Sequence, residues 1–109
     1  LTDESVKAVA AGCSSLTSLD VSNCGKLTVK SLKAVAAGCA SLTSFNAGYN
    51  SNITDESIKA VVAGCASLEE LQFDGCDQLT DESIEAVAAG CASLTSLDVT
   101  CCESMLTDE

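Results

Sequence analysis

The chain has 109 residues, a formal net charge of −11 and no histidine. It therefore offers neither the basic stripe that nucleic-acid binding requires nor an imidazole base for a cysteine or serine nucleophile. Hydrophobic residues make up 47% of the sequence, but no apolar run is long enough to span a membrane, and no signal peptide is expected. The composition thus predicts neither nucleic acid nor a membrane as a partner, and its acidity is compatible with a basic protein partner.

The sequence repeats itself with a period of 26 residues, and each unit opens on an aliphatic residue: Leu1, Leu27, Ile53 and Leu79. This period predicts a single domain of four coils, at 1–26, 27–52, 53–78 and 79–105, followed by the start of a fifth at 106–109. A fixed period of roughly 20–29 residues is typical of solenoids, in which each unit buries its apolar face against its neighbours. The repeat therefore predicts an architecture without predicting a ligand.

Each coil is predicted to begin with a helix. In the first coil Thr2 or Asp3 can cap the helix, which then carries one buried stripe with i, i+3, i+4, i+7 spacing: Val6, Val9, Ala10 and Cys13. One glycine per coil, directly before the last residue of this stripe, is interpreted as a helix stop, at Gly12, Gly38, Gly64 and Gly90.

A short strand is predicted after each helix. In the first coil, strand alternation directs Leu19 and Val21 inward and Ser18 and Asp20 outward. The equivalents of the first inward residue form one predicted rung of the core: Leu19, Phe45, Leu71 and Leu97. The residue that closes each turn is Cys24, Asn50, Cys76 or Cys102, and a buried Asn50 requires hydrogen-bond partners in the adjacent turn.

Seven of the eight cysteines follow the same period, and Cys101 is the exception. One repeat position holds Cys13, Cys39, Cys65 and Cys91, and another holds Cys24, Cys76 and Cys102. A residue that recurs once per coil lies in the same rung, so we predict buried thiols in a reducing compartment, the cytoplasm, and no disulfide framework. The vicinal pair Cys101–Cys102 leaves a redox role open, but C-x-x-C spacing is absent. No cofactor, metal site or catalytic residue is predicted.

These positions resemble a known repeat. Residues Leu16, Leu19, Val21, Cys24, Leu27 and Thr28, preceded by Cys13, are similar to the leucine-rich repeat in its cysteine-containing subclass. Val29 replaces the usual aspartate, and Asn50 replaces a cysteine. The resemblance implies an α/β solenoid, a horseshoe segment with a parallel sheet on its concave face and helices on its convex face. It also implies protein binding, as in the F-box substrate receptors of ubiquitin ligases, although no F-box helices occur in this sequence.

The outward strand positions and the turns after them form the expected binding surface of such a solenoid. The candidate partner-binding residues are Asp20, Asn46, Tyr49, Glu69, Glu70, Gln72, Asp74 and Asp98. An aromatic anchor beside charged residues is typical of interface hot spots. The alternative is that Tyr49 is an ordinary turn residue and that the acids form a solvated face.

Two functions are compatible with this pattern. The first is a protein–protein interaction module that binds a partner through the concave face. The second is a structural or self-assembling scaffold, a natural array fragment or a consensus design, whose coils stack end to end because neither end carries a polar cap.

Overall fold

The computed structural model describes residues 2–25 and 27–99, and helices alternate with strands throughout this part of the chain. The elements are α1 (Asp3–Gly12), β1 (Ser18–Asp20), α2 (Val29–Gly38), β2 (Ser44–Asn46), α3 (Asp55–Gly64), β3 (Glu70–Gln72), α4 (Asp81–Gly90) and β4 (Ser96–Asp98). The predictions for Leu1, for the pair Cys101–Cys102 and for a fifth coil at 106–109 lie outside the described residues.

The four strands form one parallel sheet in the order β1-β2-β3-β4, and each helix packs against the next in the same order. The predicted α/β solenoid is therefore confirmed. None of the described helices is long and apolar enough to cross a bilayer.

The sheet register brings equivalent residues of successive coils side by side. Leu19 pairs with Phe45, Phe45 with Leu71, and Leu71 with Leu97, which confirms the predicted rung. Phe45 and Leu71 are fully buried, whereas Leu19 and Leu97 are only half-buried. The difference arises because each inner strand has a described strand on both sides and each outer strand has one on a single side.

A threonine caps the start of every helix, at Thr2, Thr28, Thr54 and Thr80. In the first coil the cap is thus Thr2, whose Oγ1 accepts a hydrogen bond from the backbone N–H of Ser5. Asp3 is instead the first residue of the helix, where its charge is favourable for the helix dipole.

The helices end at the predicted glycines, but these positions require glycine for a reason other than helix capping. None of these glycines has the positive φ of a left-handed helix cap; Gly75 is the one described glycine that does. A Cβ at Gly38 would clash with the carbonyl oxygen of Ala10, and a Cβ at Gly64 with that of Ala36. The glycines are therefore required because consecutive helices approach each other closely, and Gly12, which has no such neighbour, has open space around it.

The prediction of buried thiols is wrong for Cys13 and correct for the equivalent positions of the next three coils. Cys39, Cys65 and Cys91 are buried, whereas Cys13 is exposed because no described coil covers that side of the first one. Burial, together with the neighbouring Cys39 and Cys91, raises the pKa of the Cys65 thiol to about 11. All six described cysteines are free thiols.

Carboxylates link the N-terminal ends of neighbouring helices. Asp3 accepts hydrogen bonds from the Thr28 backbone N–H at 3.0 Å, from the Thr28 hydroxyl at 2.8 Å and from the Ser31 hydroxyl. The Ser31 hydroxyl is the largest influence on Asp3, and these bonds together lower the pKa of its carboxyl. We call this arrangement the carboxylate clamp: an aspartate at the first position of one helix that binds the cap residue and the buried serine of the next.

A second carboxylate clamp joins α3 to α4. Asp55 accepts hydrogen bonds from the Thr80 backbone N–H at 2.9 Å, from the Thr80 hydroxyl and from the Ser83 hydroxyl. Burial by itself would raise the pKa of Asp55, but the hydrogen bonds from Ser83 and Thr80 outweigh it, and the pKa is lowered. The carboxylate is therefore stabilised in its charged form by the next coil.

The junction between α2 and α3 lacks this clamp because Val29 stands where the aspartate would be. There Ser57 is fully buried, and its hydroxyl accepts the backbone N–H of Thr54 at a long 3.4 Å. The departure of Val29 from the repeat pattern thus removes a charged link from the centre of the array.

Installing the missing clamp should stabilise the protein. We expect Val29→Asp to have a free energy of unfolding about 1–2 kcal/mol higher than Val29→Asn at about pH 7, because the carboxylate adds charge-assisted hydrogen bonds to Thr54 and Ser57. Since the folded state lowers the pKa of the clamp aspartates, this gain is fully present above the unfolded pKa of about 3.9 and is lost as the pH falls through the folded pKa. Urea denaturation across this pH range measures both effects, and equal stability of the two variants at neutral pH would contradict the clamp.

Candidate functional site

The outward side chains of the four strands form two rows across the sheet. The register places Ser18, Ser44, Glu70 and Ser96 in one row and Asp20, Asn46, Gln72 and Asp98 in the other. We call these eight positions the sheet face. Five of the predicted binding residues lie on it: Asp20, Asn46, Glu70, Gln72 and Asp98. Of the other three, Glu69 precedes β3, and Tyr49 and Asp74 lie in the turns that follow β2 and β3.

Two residues of the second row also hold the turns that follow their strands. Asp20 Oδ1 accepts hydrogen bonds from the Ser22 backbone N–H at 2.9 Å and from the Ser22 hydroxyl at 2.6 Å, and the hydroxyl above all lowers the pKa of Asp20. Asn46 Oδ1 accepts the Gly48 N–H at 2.9 Å. This turn role was missed in the sequence, although Asp-x-Ser and Asn-x-Gly spacing is typical of such side-chain turns.

The three acids of the third coil that were predicted to bind a partner are spread along β3 and the turn after it. Glu70 lies on the sheet face, and Glu69 lies at the edge where the strand begins; both are exposed. Asp74 lies beyond the other end, about 16 Å from Glu69 along the chain at the usual rise per strand residue. Asp74 is thus the acid that lies beside Tyr49, whose backbone N–H donates to the Asp74 carbonyl at 2.7 Å.

Tyr49 has an unusual backbone. Its φ is +58°, and the equivalent residues of the neighbouring coils, Asn23 and Gly75, have φ of +59° and +77°. Asparagine and glycine adopt this left-handed conformation readily, whereas a bulky residue is strained there by roughly 1–2 kcal/mol. Tyr49 is also the one large hydrophobic residue that is exposed within the described part of the chain, with 52% of its surface accessible. The second coil thus keeps a strained, exposed aromatic side chain where its neighbours have small residues.

The ring of Tyr49 lies over the turn of the next coil. A Cβ at Gly75 would collide with ring atom Cδ1 of Tyr49, and a Cβ at Gly48 would come within 2.7 Å of Asp74 Oδ1. Both glycines are therefore needed for the ring and the carboxylate to fit side by side. We call Gly48, Tyr49, Asp74 and Gly75 the tyrosine turn. The two glycines belong to the turns of the expected binding surface, but their packing role was not predicted from the sequence. The signal for that role is that Gly75 occupies the repeat position of Tyr49.

Asn50 stabilises the tyrosine turn from the buried side of the chain. It is fully buried, and its Nδ2 donates to the carbonyl oxygens of Val21 and Ala47, both at 3.0 Å, and of Gly48 at 3.2 Å. Its Oδ1 accepts the Cys24 N–H at 3.1 Å. These bonds confirm the predicted need of Asn50 for partners, and they tie the turn that carries Tyr49 to the preceding coil.

Among the described residues, the predicted binding residues belong neither to a metal site nor to the groove between α1 and α2. Within residues 2–25 and 27–99 no group of three or more His, Cys, Asp and Glu side chains could hold a metal ion. An open groove of about 240 Å³ lies between α1 and α2 on the convex side, lined mainly by alanine, and it contains none of the predicted binding residues.

Comparisons with known proteins agree with this geometry. The sequence model of the family described as "Leucine Rich repeat" matches residues 12–36, 64–88 and 90–109. A chain in the crystal structure of the Rad7 and Elc1 complex in yeast has a similar fold, with a TM-score of 0.66 at 24% sequence identity. The similarity covers 81% of this chain and 22% of that one, so this chain corresponds to about a fifth of the yeast chain. No curated protein sequence matches significantly.

The packing of the tyrosine turn predicts a non-additive pair of substitutions. Gly75→Ala is expected to lower the free energy of unfolding by about 2–3 kcal/mol, because the added methyl meets both the positive φ and the Tyr49 ring. In a Tyr49→Ala background the same change should cost about 1 kcal/mol less, since the ring is gone. A double-mutant cycle by chemical denaturation measures the coupling. Gly25→Ala is the matched control, with open space and no positive φ, and additive effects at positions 49 and 75 would contradict the described contact.

Proposed function

The chain belongs to the leucine-rich repeat family, and from that premise we propose that it binds a protein partner through the sheet face and the tyrosine turn, on the concave side of the solenoid. One observation carries the proposal. Tyr49 is strained and exposed on a surface that is otherwise polar. A chain that needed only to fold would be more stable with asparagine or glycine in this backbone conformation, so the tyrosine is better explained by contact with a partner.

The proposed contact residues differ in what they contribute. Tyr49, in the turn after β2, supplies apolar area. Glu70 and Gln72 lie on β3, the next strand of the sheet. Asp20 and Asn46 contribute through their remaining hydrogen-bonding atoms while they hold their own turns. Asp74 lies beside Tyr49 in the tyrosine turn, and Glu69 and Asp98 complete the proposed set at its margins.

A finer role is proposed from the family subclass. The resemblance to the cysteine-containing repeats of F-box receptors supports a part in recognising the substrates of a ubiquitin ligase, while the similarity to the yeast complex supports the fold alone. Free thiols in the core support a reducing compartment such as the cytoplasm.

Photo-crosslinking tests the binding face directly. We expect benzoylphenylalanine at position 72, on the sheet face, to capture a discrete protein from a lysate of the source cells. The same probe at position 89, an exposed alanine of α4, is the matched control on the helix side and should capture none. Adding Tyr49→Ala to the first probe variant should remove most of the adduct.

Equal adducts from positions 72 and 89 would contradict binding through the sheet face. Adducts from position 72 that persist unchanged with Tyr49→Ala would leave the sheet face as the site but contradict the role assigned to the tyrosine.

A second candidate function is the end-to-end scaffold. It is favoured by the open side of the first coil, where Cys13 is exposed and Leu16, Leu19 and Cys24 are half-buried, in contrast to the buried Cys39, Leu42, Phe45 and Asn50 of the next coil. An apolar end of this kind can be covered by another solenoid coil.

Oligomeric state separates the two candidates. If stacking is the function, light scattering under reducing conditions should give masses that grow with protein concentration, and Cys13→Glu should abolish this growth while Cys13→Ser leaves it intact. If the chain is a binding module, the mass should stay at that of a monomer, about 11.0 kDa, across the concentration series.

A further inference from the structure

The described lysines lie on one face of the solenoid only, whereas acids occur on both faces. All four described lysines lie on helices: Lys7 on α1, Lys30 and Lys33 on α2, and Lys59 on α3. Two of them bridge neighbouring helices, because Lys33 lies 3.1 Å from Glu56 and Lys59 lies 3.0 Å from Glu82. The acids of the helix face are thus partly neutralised by basic neighbours.

No lysine lies on the sheet side within residues 2–25 and 27–99. The sheet face contains Asp20, Glu70 and Asp98 and no lysine, and Glu69 and Asp74 flank it. Among the described residues, the side chains of Glu69 and Glu70 form no hydrogen bond and no ion pair. The sheet side therefore has a negative field of one sign across its width, which attracts positive groups and disfavours negative ones.

We infer that the occupant of the sheet face is a cationic, extended protein segment, which crosses β2 and β3 and places a lysine or arginine side chain against the ring of Tyr49. This inference rests on the proposed function, because it specifies the chemistry of the partner that the sheet face binds.

The setting of the tyrosine ring agrees with a cationic side chain. A cation over an aromatic face is held by the ring quadrupole, and a nearby carboxylate adds a Coulombic attraction for the same cation. Asp74 provides that carboxylate within the tyrosine turn, where its backbone carbonyl already binds the Tyr49 N–H at 2.7 Å. The ring is fixed over Gly75, so little side-chain entropy is lost when it is covered.

The dimensions of the sheet face favour a segment over a folded domain. Four strands at about 4.8 Å spacing give a width of roughly 15 Å, which about five residues of extended chain would cross. A standard interface between folded proteins buries about 800 Å² on each partner, which is more than a patch of this width supplies. Exposed ion pairs contribute little affinity each, so the acids chiefly select and steer the segment and the tyrosine anchors it.

Labelled peptides test the inference with the full chain. Fluorescence anisotropy with fluorescein-labelled decalysine and decaglutamate, over a series of salt concentrations, measures the preference for positive charge. We expect the chain to bind decalysine and not decaglutamate, and its affinity for decalysine to fall as the salt concentration rises. Tyr49→Ala should weaken it about fivefold and Glu70→Gln by about two- to fivefold, whereas Tyr49→Phe, which keeps the ring, should bind as the unaltered chain does.

Glu85→Gln is the matched control, because it removes one negative charge from an exposed residue of α4 on the helix side. If Glu85→Gln weakens decalysine binding as much as Glu70→Gln, the peptide responds to net charge alone and the inference is overturned. Equal binding of decalysine and decaglutamate, or binding that Tyr49→Ala leaves unchanged, overturns it as well. Denaturation curves confirm that each variant is folded.

The two proposals fail in different ways. Crosslinking from position 72 that persists while decalysine does not bind would keep the sheet face as the site and reject a cationic partner. Decalysine binding without any crosslinked protein from position 72 would reject the proposed function while leaving the charge preference of the sheet face measured.

Discussion

The structure depends on how closely one coil can approach the next. Neighbouring strands of a parallel sheet lie about 4.8 Å apart. The helices on the opposite side must therefore pack closely enough to match the stacking of the strands. They do so because Gly38 and Gly64 have no Cβ where the carbonyl oxygens of Ala10 and Ala36 pass. Any larger residue would push the helices apart and open the core, so the small residues at the helix ends are a requirement of stacking.

Close stacking brings polar groups out of water, and the chain satisfies them across coil boundaries. Asp3 and Asp55 bind the start of the following helix, and Asn50 binds three carbonyl groups and one N–H of its own and the preceding turn. Buried polar groups that lack such partners would cost about 1–3 kcal/mol each. These bonds also favour the in-register arrangement, because each donor meets its acceptor only when the coils are aligned at the 26-residue spacing. Val29 is the departure, and it leaves the central junction without a carboxylate clamp, although the exposed pair Lys33–Glu56 still links α2 to α3.

The candidate site lies at this same central junction. The tyrosine turn joins the second and third coils: the ring of Tyr49 lies against Gly75, and the Asn50 network holds the backbone of the turn that carries the ring. A rigid scaffold that holds an exposed aromatic side chain in a strained backbone conformation is well suited to binding, since little ordering remains to be done when a partner arrives. Every described lysine lies on the helix side, so the charged side chains of the described sheet face are all acids.

The sequence by itself determined the architecture, because the 26-residue period places the same residue type at the same position of every coil. The strand register and the need of Asn50 for partners follow from that period and from local chemistry. The sequence left the cap of the first helix open between Thr2 and Asp3, and the structure identifies Thr2. The tertiary structure alone decided the features that depend on a neighbouring coil: the exposure of Cys13, the close approach at Gly38 and Gly64, and the placing of Asp74 and Gly75 beside Tyr49. A period shows which residues are equivalent, but distances between coils and the direction of a turn side chain arise only when the coils pack.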